Sequence, residues 1–198
     1  MGMIPVDPGM VATIVTHLEM RTRPLPAPIP AAPLRLVRWK EPNLATYRAL
    51  FRRVGEPWLW FSRLIMTDSA LAAIIHDPAV EVYAVTDPRG TEIGLLELDF
   101  RALPDCELSF FGLVTELNGK GYGRWLMAQA KSLAWRKGVT RFWVHTCTLD
   151  SPAALGFYRK AGFVPYGCEI ETFADPRLAG ILPRDAAPHV PLLDQPAA

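Results

Sequence analysis

The sequence predicts an α+β fold with a mixed, mostly antiparallel central sheet. Three runs of alternating apolar and polar residues follow one another between residues 80 and 114, separated by short turns, as in an antiparallel meander. Beyond residue 114 the pattern changes to strand, loop, helix, strand, helix and strand, which adds helices to the sheet. Half of the 198 residues are hydrophobic, so the chain is long enough to bury one core as a single domain.

The N-terminal third begins with a loose segment and a strand. Prolines and glycines in residues 1–10 predict a flexible N-terminus. β-Branched residues alternate from Val11 to Met20, which predicts the first strand. Five prolines between residues 24 and 33 then favour an extended connection over the surface. An apolar stripe predicts a helix from Pro42 to about Val54, and a second helix is predicted from Ser69 to His76.

The later elements are predicted from period-two patterns and from helix start and stop residues. The predicted strands cover residues 80–86, 92–101, 107–114, 141–148 and 165–173, and the predicted helices cover residues 121–137 and a short segment that begins at Ser151. Residues 176–198 hold five prolines and are expected to form a tail that is mobile or draped over the surface. The domain itself is therefore predicted to span residues 11–175.

Charge and cysteine content argue against several function classes. The 21 basic and 20 acidic residues leave a net charge of +1, which predicts no surface for nucleic acid. The three cysteines have neither the spacing of a disulfide framework nor that of a zinc site, so no metal is expected. The sequence shows no signal-peptide pattern and no apolar run of about 18 residues. We therefore expect a cytoplasmic protein without a membrane partner.

The most specific feature of the chain is a glycine-rich loop from Leu117 to Arg124, with glycines at alternating positions. It lies between a predicted strand and a predicted helix. Glycines let the backbone turn sharply and approach a ligand closely, and a helix N-terminus offers unpaired N–H groups to an anion. A P-loop would need Gly-Lys followed by Ser or Thr, and a dinucleotide fold would need a different glycine order near the start of the chain. A phosphate cradle and a glycine-rich turn without ligand both remain open at this point.

Two motifs make the chain resemble the GNAT superfamily of acyl-CoA-dependent N-acetyltransferases. The first is the strand 107–114 followed by the loop 118–123, and the second runs from Asp150 to Phe163. The loop departs from the family pattern at Asn118, where Gln or Arg is usual, so a side-chain contact is not expected there. The resemblance covers about residues 80–170. It implies helices on both faces of the sheet and the element order β-α-α-β-β-β-α-β-α-β, and it leaves a homodimer open.

The resemblance implies acetyl-CoA as the co-substrate. Backbone N–H groups of the loop would bind the pyrophosphate, and Lys120 and Arg124 would add positive charge. A bulge at Gly112 would free backbone groups of the preceding strand for the pantetheine arm. The coenzyme-binding residues implied in this way are Phe111, Gly112, Leu113, Asn118, Gly119, Lys120, Gly121, Tyr122, Gly123 and Arg124.

Acyl transfer to an amine requires a base, because a lysine-like amine is almost fully protonated at neutral pH. Glu107 is the predicted base, since it lies where the histone acetyltransferase branch of the family carries one. Glu97, Asp99 and His145 are alternatives. The resemblance implies that Tyr158 protonates the departing thiolate.

The acceptor is predicted only in outline. The aromatic run Trp58–Phe61 joins the first two predicted helices and is expected to wall the acceptor site. An apolar wall in a nearly neutral protein favours a small amine or an amino-acid-like acceptor. A CoA-binding sensor without turnover and an enzyme for a different acyl group are the alternatives to an acetyltransferase.

Overall fold

A seven-stranded sheet forms the centre of the computed structural model, which describes residues 2–194. The strands are β1 (Met10–Met20), β2 (Arg35–Trp39), β3 (Val80–Thr86), β4 (Glu92–Asp99), β5 (Asp105–Leu113), β6 (Arg141–Cys147) and β7 (Val164–Ala174). The helices are α1 (Leu44–Gly55), α2 (Asp68–Ile75), α3 (Tyr122–Ala134) and α4 (Ala154–Lys160). The strand order is β2-β3-β4-β5-β6-β1-β7, in which β5 and β6 are parallel and the other neighbours antiparallel. The predicted α+β class with a mixed, mostly antiparallel sheet is confirmed.

One strand was not predicted. β2 pairs with β3 at the edge of the sheet, so the described chain begins with two strands rather than one. Its five residues include Arg35 and Arg38, and its burial pattern shows no clear inward face. Short, charged edge strands leave little hydrophobic periodicity in the sequence, which explains why the pattern of this segment did not predict it.

The N-terminal strand lies inside the sheet, not at its edge. β1 pairs with β6 on one side and with β7 on the other, and Val15 is opposite Cys147 and Glu169 in the two ladders. Val11, Val15 and Leu18 are buried. The long proline-containing connection after β1 therefore joins an interior strand to the far edge strand β2.

Helices cover both faces of the sheet. On one face, Tyr47 of α1 donates a hydrogen bond to Glu97 of β4. On the other face, Tyr158 of α4 packs against Phe163, which in turn packs against Phe142 of β6. Residues 2–194 contain no helix with the length and hydrophobicity that a membrane crossing needs.

The segment after β7 packs against the domain. Leu182, Ala186 and Ala187 are buried in a second apolar cluster together with Val11 and Leu59. The tail was predicted to be mobile or draped over the surface. In the structure part of it is buried, because these apolar side chains pack against Val11 and Leu59. The predicted division of the chain at residue 175 stays a prediction, and residues 195–198 of the predicted tail lie outside the described residues.

Candidate active site

The site begins where two parallel strands separate. β5 and β6 pair only from Asp105 to Glu107 and from Arg141 to Trp143. Beyond this point β6 continues to pair with β1 through Cys147, whereas β5 pairs only with β4. Backbone groups on one edge of β5 therefore have no strand partner beyond Glu107. An open edge of this kind can bind an extended ligand through main-chain hydrogen bonds.

The bulge in β5 lies at a different residue from the one expected. Glu97 is opposite Phe110 and Leu98 is opposite Leu108, so Ser109 is the extra residue. Gly112 is regularly paired with Leu95, and the prediction of a bulge at Gly112 is wrong. A Cβ atom at Gly112 would lie 2.6 Å from Cγ1 of Val54. Glycine is therefore required there for close packing against α1, a contact that the sequence pattern could not reveal.

A cavity of about 980 Å³ occupies the opening between the strands. Its walls come from β5, from Val144, His145 and Cys147 of β6, and from the start of α4. The glycine-rich loop and the aromatic run Trp58–Phe61 both line this cavity. Most of the residues predicted from the two motifs are thus brought together around one space. The predicted site residues that line the cavity are Glu107, Phe111, Gly112, Leu113, Asn118, Gly119, Gly121, Gly123, Arg124 and Tyr158.

The glycine-rich loop turns into α3 through two left-handed residues. Gly119 and Gly121 have φ angles of 75° and 81°, and Gly121 is the N-cap of α3. Residues with a side chain rarely adopt this conformation, which explains the need for glycine at both positions. Within residues 2–194, the N–H groups of Gly119, Gly121, Tyr122 and Gly123 have no protein acceptor. Four unpaired donors around a helix N-terminus form a binding site for an anion.

Charged side chains near this loop are unequally placed. A Cβ atom at Gly121 would lie 3.3 Å from Nη2 of Arg124, so this exposed guanidinium group lies against the loop and lines the cavity. Lys120 is exposed and does not line the cavity, and Tyr122 lines a separate depression on the other side of the loop. The N–H of Lys120 donates to the carbonyl oxygen of Leu117, so of these two residues only Tyr122 offers an unpaired backbone donor to a ligand.

Glu107 lies in the cavity at the point where β5 and β6 separate. Burial raises the pKa of its carboxyl group to about 7, and the negative charges of Asp99 and Glu97 add to this effect. Asp99 is directly opposite Glu107 in the ladder between β4 and β5. A carboxylate with a pKa near neutrality is able to accept a proton and release it again at physiological pH.

The two alternative carboxylates are occupied by structural contacts. Glu97 is fully buried, accepts a hydrogen bond of 2.6 Å from Tyr47 and forms an ion pair of 2.6 Å with Arg63. Asp99 lines the cavity but binds the guanidinium group of Arg101. Of the three candidate carboxylates, Glu107 alone has no arginine partner within the described residues.

His145 lies beside Glu107 on the neighbouring strand. Its Nδ1 atom is 3.9 Å from Oε1 of Glu107. Burial and the adjacent His17 lower the pKa of His145, so its imidazole is neutral at pH 7. This ring therefore lies within reach of the predicted base without supplying a full counter-charge.

Tyr158 projects from α4 into the cavity. Its ring packs among Phe111, Phe157 and Phe163, with centroid distances of 5.6 to 6.2 Å. Burial raises the pKa of the phenol, and the charge of Asp150 acts in the same direction. Because its pKa is raised, the phenol is protonated at neutral pH, and no acceptor for its hydrogen lies within residues 2–194, so it has a proton to donate inside the cavity.

The part of the cavity wall around Trp60 combines segments that are far apart in the sequence. Trp60 donates a hydrogen bond of 3.4 Å from Nε1 to Asp150, which also accepts bonds from Thr146 and from the N–H of Cys147. Glu171 and Phe173 of β7 line the same cavity. Sequence reasoning missed Glu171 and Phe173, because nothing in the local pattern of an edge strand indicates which face lies near a ligand.

Comparison with known proteins points to one family. A model of the acetyltransferase (GNAT) family matches residues 43–163 of the chain. The comparison with curated proteins gives no match.

Within residues 2–194, no three His, Cys, Asp or Glu side chains are grouped so that they could hold a metal ion.

Several solved structures share the fold. A GCN5-related N-acetyltransferase from Sphaerobacter thermophilus is 18% identical, with a TM-score of 0.55, over 84% of this chain and 52% of that chain. An aminoglycoside acetyltransferase from an uncultured soil metagenomic sample is 20% identical, with a TM-score of 0.52, over 66% of this chain and 88% of that chain. An IAA acetyltransferase from Bacillus cereus is 21% identical, with a TM-score of 0.52, over 68% and 79%. The chain thus spans about half the length of the first of these proteins, and identities at this level show the fold alone.

Proposed function

The chain belongs to the acetyltransferase (GNAT) family, and we propose that it transfers the acetyl group of acetyl-CoA to a primary amine by direct attack in a ternary complex. The observation that carries this proposal is the pairing of two groups along one cavity. Glu107, whose carboxyl pKa is raised to about 7, and the protonated phenol of Tyr158 both line the space between the diverging strands. A base and an acid thus line the same cavity.

The coenzyme would bind along the glycine-rich loop and the open edge of β5. The four unpaired N–H groups at the start of α3 suit the pyrophosphate, and Arg124 supplies positive charge. The free backbone edge beyond Glu107 suits the amide groups of the pantetheine arm. In this arrangement the thioester lies near the point where β5 and β6 separate.

The reaction then follows from the two side chains. Glu107 takes a proton from the ammonium form of the acceptor, and the neutral nitrogen attacks the thioester carbonyl carbon. A C–N bond forms while unpaired backbone N–H groups on the open edge of β5 next to Glu107 stabilise the oxyanion. The C–S bond breaks, and the departing thiolate receives the proton of Tyr158. The second proton that the nitrogen loses returns to the phenolate of Tyr158, and Glu107 releases its proton to solvent. The products are an acetylated amine and free CoA.

The acceptor that fits best is a small amine or an amino-acid-like molecule with an apolar part. Trp60 and Phe61 supply an aromatic wall, and Glu107 and Glu171 favour the approach of a protonated amine. Asp99 and Arg63 also line this end, but their charges are balanced by Arg101 and Glu97.

The test is a screen of amines for CoA release. The protein is incubated with acetyl-CoA and a broad panel of amines, and free thiol is followed over time, with Glu107→Gln as the matched control. We expect thiol release that depends on the amine and on Glu107. Tight binding of CoA without thiol release above background for any amine would instead indicate a sensor, and release from another acyl-CoA alone would indicate a different acyl donor.

A further inference from the structure

The C-terminal segment, defined here as residues 175–193, is held by one buried arginine. Arg177 is 3% exposed and forms an ion pair of 2.7 Å with Asp175, which is 2% exposed. The same guanidinium group donates hydrogen bonds to the carbonyl oxygens of Ala186, Val190 and Pro191. A buried charge is retained only where partners compensate it, so these contacts tie the segment into one shape.

This segment lies beneath two loops that line the cavity. The first is the aromatic loop, Trp58–Phe61, and the second is the β6–α4 loop, residues 148–153. Leu182, Ala186 and Ala187 of the C-terminal segment share an apolar cluster with Leu59 and Leu149, one residue from each loop. Both loops therefore rest on the same support.

A histidine connects the segment to both loops. Nε2 of His189 is 3.0 Å from the carbonyl oxygen of Leu149. A carbonyl oxygen only accepts, so Nε2 of His189 carries the proton in this contact. The ring of His189 also lies edge-on to Trp58, with the centroids 5.7 Å apart.

The aromatic loop needs such support because its backbone is strained. Leu59 has a φ angle of 55°, in the left-handed region that a branched apolar residue rarely adopts. Its side chain is 3% exposed, so burial against the C-terminal segment offsets the cost of this conformation. The loop that carries Trp60 thus depends on what lies beneath Leu59.

We propose that the C-terminal segment is a positioning element of the acceptor site, holding the aromatic loop and the β6–α4 loop together so that Trp60 and Asp150 face the cavity. The hydrogen bond from Trp60 to Asp150 joins the two loops, and both loops pack against the C-terminal segment. Among the described residues, none of the glycine-rich loop belongs to the cluster that holds Leu59 and Leu149, and Leu117 packs against the main core. The contacts of the C-terminal segment with Trp58, Leu59 and Leu149 therefore make the acceptor the ligand whose binding the segment is expected to affect most. In naming an acceptor, this inference rests on the function proposed above.

His189 provides the variant pair for the test. His189→Leu removes the N–H donor to Leu149, whereas His189→Gln keeps an amide donor of similar reach. Arg184→Ala, which removes an exposed ion pair to Asp194 in the same segment, is the control for a general effect of substitution there. KM and kcat for the acceptor, KM for acetyl-CoA and hydrogen exchange of the two loops are measured for all three.

His189→Leu is expected to raise the KM for the acceptor roughly 5- to 50-fold, because it removes the partly buried hydrogen bond that ties the β6–α4 loop to the C-terminal segment. We expect the KM for acetyl-CoA to stay within about twofold, and hydrogen exchange to accelerate in both loops. His189→Gln and Arg184→Ala should resemble the unmodified protein. Unchanged loop exchange in His189→Leu, or an equal rise in both KM values, would overturn the proposal. If the unmodified protein acetylates no amine, the proposed function fails, and loop exchange alone then decides whether the segment positions the loops.

Discussion

The two ends of the cavity are built by different means. The end proposed for the coenzyme consists of consecutive residues, Leu117–Arg124, and offers backbone N–H groups. The end proposed for the acceptor combines side chains from the aromatic loop, from β5, β6 and β7 and from the β6–α4 loop, and it packs against the C-terminal segment. Backbone donors depend on the local chain path, whereas converging side chains depend on the whole fold. Substitutions at the first end should therefore act through conformation, and those at the second through charge and packing.

A second contrast separates two carboxylates of neighbouring strands. Glu97 lies in β4 and Glu107 in the adjacent strand β5. Glu97 is fully buried between Tyr47 and Arg63. Glu107 borders the cavity and has no arginine partner within the described residues. The same residue type thus serves stability in β4 and is free for proton transfer in β5. Five predictions test these contrasts.

Replacing Glu107 by Gln should have the largest effect on the rate. We expect kcat/KM to fall by roughly 100- to 10,000-fold, because the amide cannot accept the proton of the acceptor. The unmodified enzyme should gain activity as the pH rises through about 7, where the Glu107 carboxyl group deprotonates, and the variant should lack this inflection. Steady-state rates from pH 5.5 to 8.5 test the expectation, and retained CoA affinity by calorimetry is the control. An unaltered rate would indicate that His145 or Asp99, and not Glu107, is the base.

Replacing Glu97 by Ala should mainly unfold the protein. The change leaves the Arg63 guanidinium group buried without its counter-charge, and losing one partner of such a pair costs about 3–5 kcal/mol in the free energy of unfolding. Urea denaturation measures this loss. The matched control is Asp99→Ala, whose partner Arg101 is partly exposed and which should cost far less.

The carboxyl group of Glu107 should reduce the stability of the fold at high pH. Its pKa is raised from about 4.5 in the unfolded chain to about 7 in the folded one, so the folded state binds this proton more tightly. Stability linked to the proton is present at low pH and is lost as the pH rises through 7. Glu107→Gln should therefore increase the free energy of unfolding at pH 8 by about 2 kcal/mol and have little effect at pH 4. Denaturation curves at both pH values test the sign, and a variant less stable at pH 8 would contradict it.

Replacing Tyr158 by Phe should slow turnover about 10- to 100-fold without abolishing it. The thiolate of CoA is a fair leaving group, and the buried phenol is a weak acid, so its proton assists only modestly. Pre-steady-state thiol release would measure the loss. Phe157→Leu, on the same helix but without a hydroxyl group, is the packing control, and an equal loss in both variants would assign Tyr158 to packing.

Replacing Gly121 by Val should weaken CoA binding at least about tenfold while the fold survives. The residue has a φ angle of 81°, and a new Cβ atom would press against Arg124, so the loop must change its path and misplace its N–H donors. Calorimetry with CoA measures the change. Gly90→Val places the same strain in the exposed turn between β3 and β4, where φ is 89° and no atom lies nearby. Equal CoA affinity in the two variants would contradict the proposal that the glycine-rich loop binds the pyrophosphate.

Local patterns in the sequence were sufficient for most elements of the fold. The alternating residues of β1 and β3–β5 and the glycine turn before α3 were predicted within a few residues, because strand periodicity and left-handed turns are properties of short segments. β2 escaped prediction, since five partly exposed residues with two arginines carry no periodic signal. The bulge at Ser109 also escaped, because a register shift is a relation between two strands.

What the sequence determined by itself is the glycine-rich loop and the family, since both depend on contiguous motifs in the loop 118–123 and around Tyr158. Only the tertiary structure decided which carboxylate is free, since Glu97 and Glu107 differ through Tyr47 and Arg63, which are distant in the chain. The tertiary structure also decided that the proline-rich C-terminal segment packs against Leu59 and Leu149, where the buried ion pair of Asp175 and Arg177 holds its shape. The physical reason is the same in both cases. Burial and charge pairing arise between segments far apart in sequence, whereas backbone turns arise within one segment.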